Sequence, residues 1–134
     1  MAKLSDKQRT FIAENPYVAT VTTLREDGSP HATVVWVDTE NGTVTFNTAV
    51  GRAKERHLRN DPRVSLTVVD PENAWLWVSV SGRAELTKDG ADDQIDKLAK
   101  KYLGEDKYPW RSPEQERISV KITPEHVDSA GFDD

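Results

Sequence analysis

The alternation of apolar and polar positions divides the chain into short strands interrupted by helical stretches. Ser5 with Gln8 three residues on has the form of a capping box, and Phe11 and Ile12 supply an apolar edge before Asn15-Pro16. A short helix within residues 1–16 is the expectation. Tyr17 to Leu24 is rich in Val and Thr, Glu26-Asp27-Gly28-Ser29-Pro30 is turn chemistry, and His31 to Asp38 reads as the return strand of a hairpin. Its Val34-Val35-Trp36-Val37 run is apolar on both faces, which implies core on one side and a subunit or a flat ligand on the other. Asn41-Gly42 marks a tight turn, after which Thr43 to Thr48 alternates with Val44 and Phe46 on one face and Thr43, Thr45 and Asn47 on the other.

A basic stretch then begins near Arg52 and is stopped by Asp61-Pro62, giving a predicted helix. Val64, Leu66 and Val68 mark a fourth strand that Asp70-Pro71-Glu72-Asn73 closes. Trp75 to Thr87 forms one long strand, with Leu76, Val78, Val80, Ala84 and Leu86 toward the core and Trp75, Trp77, Ser79, Ser81, Arg83 and Glu85 on the other face. Ile95, Leu98, Ala99 and Tyr102 recur at helical spacing, so Ala91 to Leu103 is predicted as an amphipathic helix that Gly104 ends. Tyr108 to Pro113 must be a loop, whose aromatics and Arg111 are placed to lie over a ligand. Ile118, Val120 and Ile122 form a final strand, and residues 124–134 an acidic tail.

Six strands, mostly antiparallel, with a helix after the third and another after the fifth, predict a mainly β small barrel with peripheral helices. At 134 residues this is one domain, and no internal repeat appears. A charged fraction of 31%, a hydrophobic fraction of 36% and a net charge of −5 describe a soluble chain and argue against general binding to nucleic acid or an anionic membrane. Without cysteine there are no disulfides, thiolate metal sites or Cys nucleophiles, and redox work would need a cofactor. The N-terminus lacks an apolar signal core and no run approaches the ~20 apolar residues of a membrane span, so a cytoplasmic location is expected.

Against the acidic whole, the helix from Arg52 is a local exception. At about 100° per residue, Arg52, Arg56 and Arg59 share one face while Lys54 lies nearly opposite, beside Leu58. An inward ammonium needs an acceptor, and a ligand phosphate at the helix N-terminus would serve. The same spacing also fits an ordinary solvated face with Lys54 snorkelling or paired with a carboxylate. Trp75 and Trp77 pose a second choice, between covering a partner subunit or a bound ring and forming a small second core beneath the last helix. His31, His57 and His126 show no metal-type pairing, and the chain has no HExxH, GxSxG, GxGxxG or P-loop pattern. No metal site is expected, and no single acid or base stands out as catalytic; His31 reads as a surface or hydrogen-bonded strand residue.

Three groups of segments carry a family resemblance: Ala19-Thr20-Val21-Thr22-Thr23-Leu24-Arg25-Glu26-Asp27-Gly28-Ser29-Pro30-His31; Gly51-Arg52-Ala53-Lys54 with Leu58-Arg59-Asn60-Asp61-Pro62-Arg63-Val64; and Gly82-Arg83-Ala84-Glu85-Leu86. In order and spacing they resemble the flavin and deazaflavin oxidoreductases of the split β-barrel fold related to pyridoxamine 5′-phosphate oxidase, in particular the actinobacterial subgroup that uses coenzyme F420. The resemblance extends from Ser5 to Val127. It implies a homodimer with cofactor sites at the interface. The flat ring would lie near Thr33, Val34, Val35 and Trp36, and Asn47, Thr48, Arg52 and Lys54 would take the ribityl and phosphate groups. Trp75, Trp77 and the loop from Tyr108 through Trp110 to Arg111 would close the pocket from the other subunit. FMN shares the ring and ribityl phosphate, but the FMN branch tends to carry an arginine early in the second strand and a lysine at its end, where this chain has His31 and Trp36-Val37. The implied activity is therefore hydride transfer from reduced F420 to an activated C=C, C=N or quinone-like small molecule. An FMN-dependent oxidase of the pyridoxamine oxidase type and a non-enzymatic carrier of F420 or flavin are the alternatives.

Overall fold

The computed structural model describes residues 2–132. Helix α1 (Asp6–Glu14) starts as its sequence requires: the Gln8 backbone N–H donates to Ser5 Oγ at 3.1 Å, and the Ser5 N–H donates to Gln8 Oε1 at 2.8 Å. Strands β1 (Ala19–Leu24) and β2 (Pro30–Val35) form the first hairpin, and β3 (Asp38–Glu40) and β4 (Thr43–Ala49) the second. The second hairpin turns at Asn41 and Gly42, with φ of 49° and 83°, the double positive-φ geometry that Asn-Gly adopts most readily. Helix α2 (Ala53–Asn60), β5 (Arg63–Asp70), β6 (Asn73–Thr87), α3 (Ala91–Leu103) and β7 (Arg117–Ala130) follow. Among the described residues, no helix is long and apolar enough to cross a membrane.

All seven strands belong to one antiparallel sheet in the order β2-β1-β5-β6-β7-β4-β3. The sheet is not closed: β2 and β3 are its two unpaired edges, and the mainly β, split-barrel architecture follows. Val21, Val44, Phe46, Leu66, Val78, Val80, Ile118 and Ile122 fill the interior, with Phe11 and Ile12 of α1 packed against them.

Two boundaries differ from expectation. Residues 31–38 do not make one strand, so the described residues form seven strands rather than six. β2 pairs with β1 and stops at Val35, and after Trp36 and Val37 the chain joins the opposite edge, where Asp38–Glu40 pairs with β4. The run is apolar because it crosses between the sheet's two ends. The second correction concerns the acidic tail expected from Pro124: β7 continues to Ala130, and of that tail Asp133 and Asp134 fall outside the described residues. Pro124 has no N–H to give a ladder, yet the β6–β7 register shifts between Ser81 and Gly82, pairing His126 with Ser81 and Pro124 with Gly82. The bulge absorbs the proline and the pairing resumes beyond it.

The crossing segment is pinned by α3. Lys101 Nζ donates to the carbonyls of Ile12 and Val37 at 2.7 and 2.6 Å, while Tyr102 donates to the Tyr17 carbonyl at 2.6 Å and accepts from the Val37 N–H at 3.0 Å. Burial pushes the Lys101 ammonium down to about 8 and the Tyr102 phenol up to about 12. Between pH about 8 and the free-lysine value of 10.5 the unfolded chain therefore holds a proton at Lys101 that the native protein has lost. The Lys101 contribution to stability accordingly rises with pH across that window. Urea denaturation of wild type and Lys101→Met at pH 7.5 and 10 checks this. The stability difference should move in favour of wild type at the higher pH, the Tyr102 contribution being common to both; a constant difference would overturn it.

Candidate functional site

The gap between the two ends of the sheet forms a cleft of about 240 Å³. Val34 and Val35 of β2 and Trp36 line one side; Asn47 of β4 and Arg117 of β7 belong to the other. Arg52 and Lys54 border it from the start of α2, Ile95 and Leu98 from α3, and Tyr108 and Trp110 from the loop before β7. Val34 is 62% exposed, although it opens the apolar run Val34-Val35-Trp36-Val37. Trp36 stacks on Tyr102 (5.3 Å, 10° between planes) and meets Tyr108 edge-on at 6.2 Å; Tyr108 in turn meets Trp110 edge-on at 5.7 Å. An aromatic and aliphatic slot results, of the kind a flat ring enters.

The α2 basic residues divide as their angular spacing requires. Lys54 turns toward the cleft, where its Nζ donates to Thr33 Oγ1 at 3.2 Å, and burial first, then the charge of Arg52, lowers its pKa. Thr33 is thus beneath the site as the partner of Lys54. Arg56 donates to the Gly51 carbonyl at 2.9 Å and Arg59 to Glu55 Oε2 at 2.8 Å. Glu55 also accepts the Gly51 N–H at 3.0 Å, and that bond, followed by Arg59, keeps its carboxyl low. The solvated-face reading therefore holds for Arg56 and Arg59. It does not hold for Lys54, whose nearest polar partner is neutral, leaving its charge available to an anion.

Of the other expected site residues, Asn47 lines the cleft but is occupied at both ends. Its Nδ2 donates to the Ala91 carbonyl (2.9 Å) and Gln94 Oε1 (2.7 Å), and its Oδ1 accepts from Arg117 Nε at 2.8 Å. Thr48 is buried behind this wall, with no hydrogen-bond partner for its Oγ1 among the described residues. Arg111 is turned away: it donates to Asp96 Oδ1 at 2.8 Å and lies 3.6 Å from Asp92. Burial raises the Asp96 pKa, but the Tyr108 N–H and the Arg111 guanidinium outweigh it and hold the carboxyl low. Arg111 acts as the clasp that fastens the loop to α3. Through it Tyr108 and Trp110 reach the cleft of their own chain, where closure from a partner subunit was expected. His31 packs edge-on to His57 at 5.1 Å, and His57 Nδ1 lies 2.8 Å from Thr23 Oγ1.

Trp75 and Trp77 lie outside the cleft, on the outward face of β6. Trp75 is 83% exposed, so no second core covers it, and Trp77 borders a shallow groove with Thr67, Val69 and Ser79.

Val18, Ile95, Leu98 and Arg117 complete the cleft beyond the residues anticipated as ligand contacts. Tyr108, expected with its loop over the pocket, lines the cleft from the same chain. Arg117 had no legible signal: alternation puts it on the face opposite Ile118, Val120 and Ile122, but the start of β7 is buried on both faces. α3 packs over that face.

The family profile described as "Pyridoxamine 5′-phosphate oxidase" matches residues 4–130. An F420H(2)-dependent biliverdin reductase of Mycobacterium tuberculosis is 28% identical over 120 residues, covering 90% of this chain and 85% of that protein. Among solved structures, a protein named F420 reductase superposes with a TM-score of 0.77 at 24% identity, covering 89% of this chain and 94% of its own. A FAD-binding protein from Mesorhizobium loti superposes with a TM-score of 0.65 at 23% identity, covering 94% of each. These two likenesses are of fold.

Proposed function

Since the chain belongs to the pyridoxamine 5′-phosphate oxidase family over residues 4–130, we propose that it is an oxidoreductase that uses coenzyme F420 to reduce an activated C=C, C=N or quinone-like small molecule. The observation that carries this reading is the slot between Val34, Val35, Trp36 and Trp110 with the Lys54 ammonium at its border. A flat ring with an anionic tail needs those two features side by side. The 28% identical F420H(2)-dependent biliverdin reductase supports F420 over FMN, as do His31 and Trp36-Val37 in place of the FMN branch's basic residues.

When bound, the reduced deazaflavin supplies the hydride. The chain's own residues position and shield. Val34, Val35 and Trp36 offer an apolar bed for the ring, Trp110 covers it, and Tyr108 adds a second aromatic wall. Lys54 and Arg52 hold the phosphate at the start of α2, where unpaired backbone N–H groups and the helix dipole add to their charge. A cleft of about 240 Å³ lies below the roughly 300–1,000 Å³ of sites that enclose a drug-sized ligand. A second copy would enlarge it, and the exposed Trp75 with Val69 gives a second copy an apolar face to cover. The homodimer belongs to the proposal for that reason.

Parallel titrations with F420 and FMN, followed by absorbance and fluorescence, test the reading. F420 should bind firmly at micromolar concentration and FMN weakly; firm FMN binding without F420 binding would reverse the assignment to an FMN oxidase. Binding of F420 without turnover across quinone and tetrapyrrole acceptors would instead make the protein a carrier. Sedimentation of the F420-loaded protein addresses the second copy, which a fully loaded monomer would remove.

A further inference from the structure

Arg117, the first residue of β7, is 6% exposed and lines the cleft. Buried guanidinium groups are ordinarily paired with a carboxylate. Here the partners are neutral: Nε donates to Asn47 Oδ1 at 2.8 Å, a terminal nitrogen donates to Gln115 Oε1 at 3.2 Å, and the Tyr108 ring lies 5.3 Å from the guanidinium carbon. Among the described residues no carboxylate lies within ion-pair distance of it. Asp92, whose charge favours it, is engaged with Arg111, and the charges of Arg52 and Arg111 oppose it.

The arrangement is also oriented. The Asn47 amide nitrogen is held by the Ala91 carbonyl and Gln94, so its oxygen must face Arg117, which fixes the guanidinium plane. A guanidinium has five N–H donors in a rigid fork, and the fork matches a carboxylate or a phosphate. Lys54 stands against Thr33 of β2, on the other side of the same opening, so the cleft presents cations from both sides.

We infer that Arg117 is a second anion-recognition point of the cleft, which binds an oxyanion, carboxylate or phosphate, on the molecule that enters there. The inference rests on the reading of this cleft as the ligand site. The oxyanion belongs either to the cofactor or to the acceptor that shares the cleft with it, and both sources require the same fork.

Arg117→Gln, with Arg117→Lys as the variant that keeps charge and loses the fork, separates the cases. In the ligand-free protein Arg117→Gln should melt no lower than wild type, because a buried charge without a counter-charge does not stabilise. If the oxyanion is the cofactor's, Arg117→Gln weakens F420 at least about tenfold and leaves the phosphate-free deazaflavin riboside unchanged. If it is the acceptor's, F420 and the riboside bind as before, while the rise in melting temperature that benzoate gives wild type is lost in both variants. Should Arg117→Gln fail to fold, Arg117→Lys must fold and show the same weakening. Variants that melt lower than wild type yet bind F420, riboside and benzoate unchanged would overturn the inference, as would a wild type that benzoate does not stabilise and whose F420 affinity ignores Arg117. If F420 does not bind wild type at all, the cofactor reading fails, and the benzoate arm still tests Arg117.

Discussion

Lys54→Ala is expected to weaken cofactor binding by about 1.5–3 kcal/mol, roughly 10- to 150-fold in Kd, the range for charge-assisted hydrogen bonds to a phosphate. The expectation follows from an imbalance in the ligand-free site. The Lys54 ammonium is half-buried, it donates to a neutral hydroxyl at 3.2 Å, and burial has already lowered its affinity for the proton. A phosphate arriving there recovers solvation that the fold removed. Ligand-free stability should change little, since no ion pair is broken. A fluorescence titration of F420 into the variant is the measurement, and an affinity equal to wild type would remove Lys54 from the site. Arg59→Ala provides the contrast: it breaks a half-buried pair with Glu55, so its cost should appear in stability and F420 affinity should be unaltered.

Gly82→Ala should be the most damaging single methyl in the β-sheet. A Cβ at this position would stand 1.9 Å from the Thr123 carbonyl oxygen and 3.1 Å from the Glu125 nitrogen, both backbone atoms that cannot rotate away. Gly82 sits where the β6–β7 register shifts, so the clash would fall on the bulge that lets Pro124 stay inside the ladder. We expect a loss of about 3 kcal/mol or more, at or beyond the upper end of overpacking costs. Urea midpoints give the value. Gly28→Ala, in open space at a φ of 86°, should cost less, about 1 kcal/mol of backbone strain. A Gly82→Ala midpoint equal to that of wild type would contradict the close approach of β6 and β7.

Local chemistry was legible in the sequence wherever one segment decides its own geometry. The Ser5–Gln8 box, the Asn41-Gly42 turn, the span of α3 and the inward angle of Lys54 all follow from residues within a few positions of one another. What escaped depends on distant segments. β2 ends at Val35 because the partner of Asp38 is β4, a pairing that alternation alone does not encode. Pro124 reads as a stop until the bulge opposite it is known. Lys101 reads as a solvated last-turn lysine, and only the packing of α3 over the crossing segment brings two carbonyls to its ammonium. Arg117 was hidden for the same reason, since a face is outward only if nothing covers it. At the cleft, the apolar run at Val34 to Trp36 and the basic start of α2 were both recognisable. That Trp110 joins them within one chain depends on the Arg111–Asp96 clasp, which links residues fifteen apart.

The sheet's two free edges differ in how they resist self-association. The outer edge, β3, is three residues long and carries Asp38 and Glu40, a length and charge that discourage another strand from pairing there. β2 is longer, carries no acidic or lysine side chain and holds Val34 largely in solvent; its proline sits at the first position, leaving the rest of the edge available. A molecule bound in the cleft would lie beside Val34 of that edge. Solubility is therefore expected to follow occupancy: ligand-free protein, with the β2 edge open, should aggregate more readily than loaded protein, which light scattering measures.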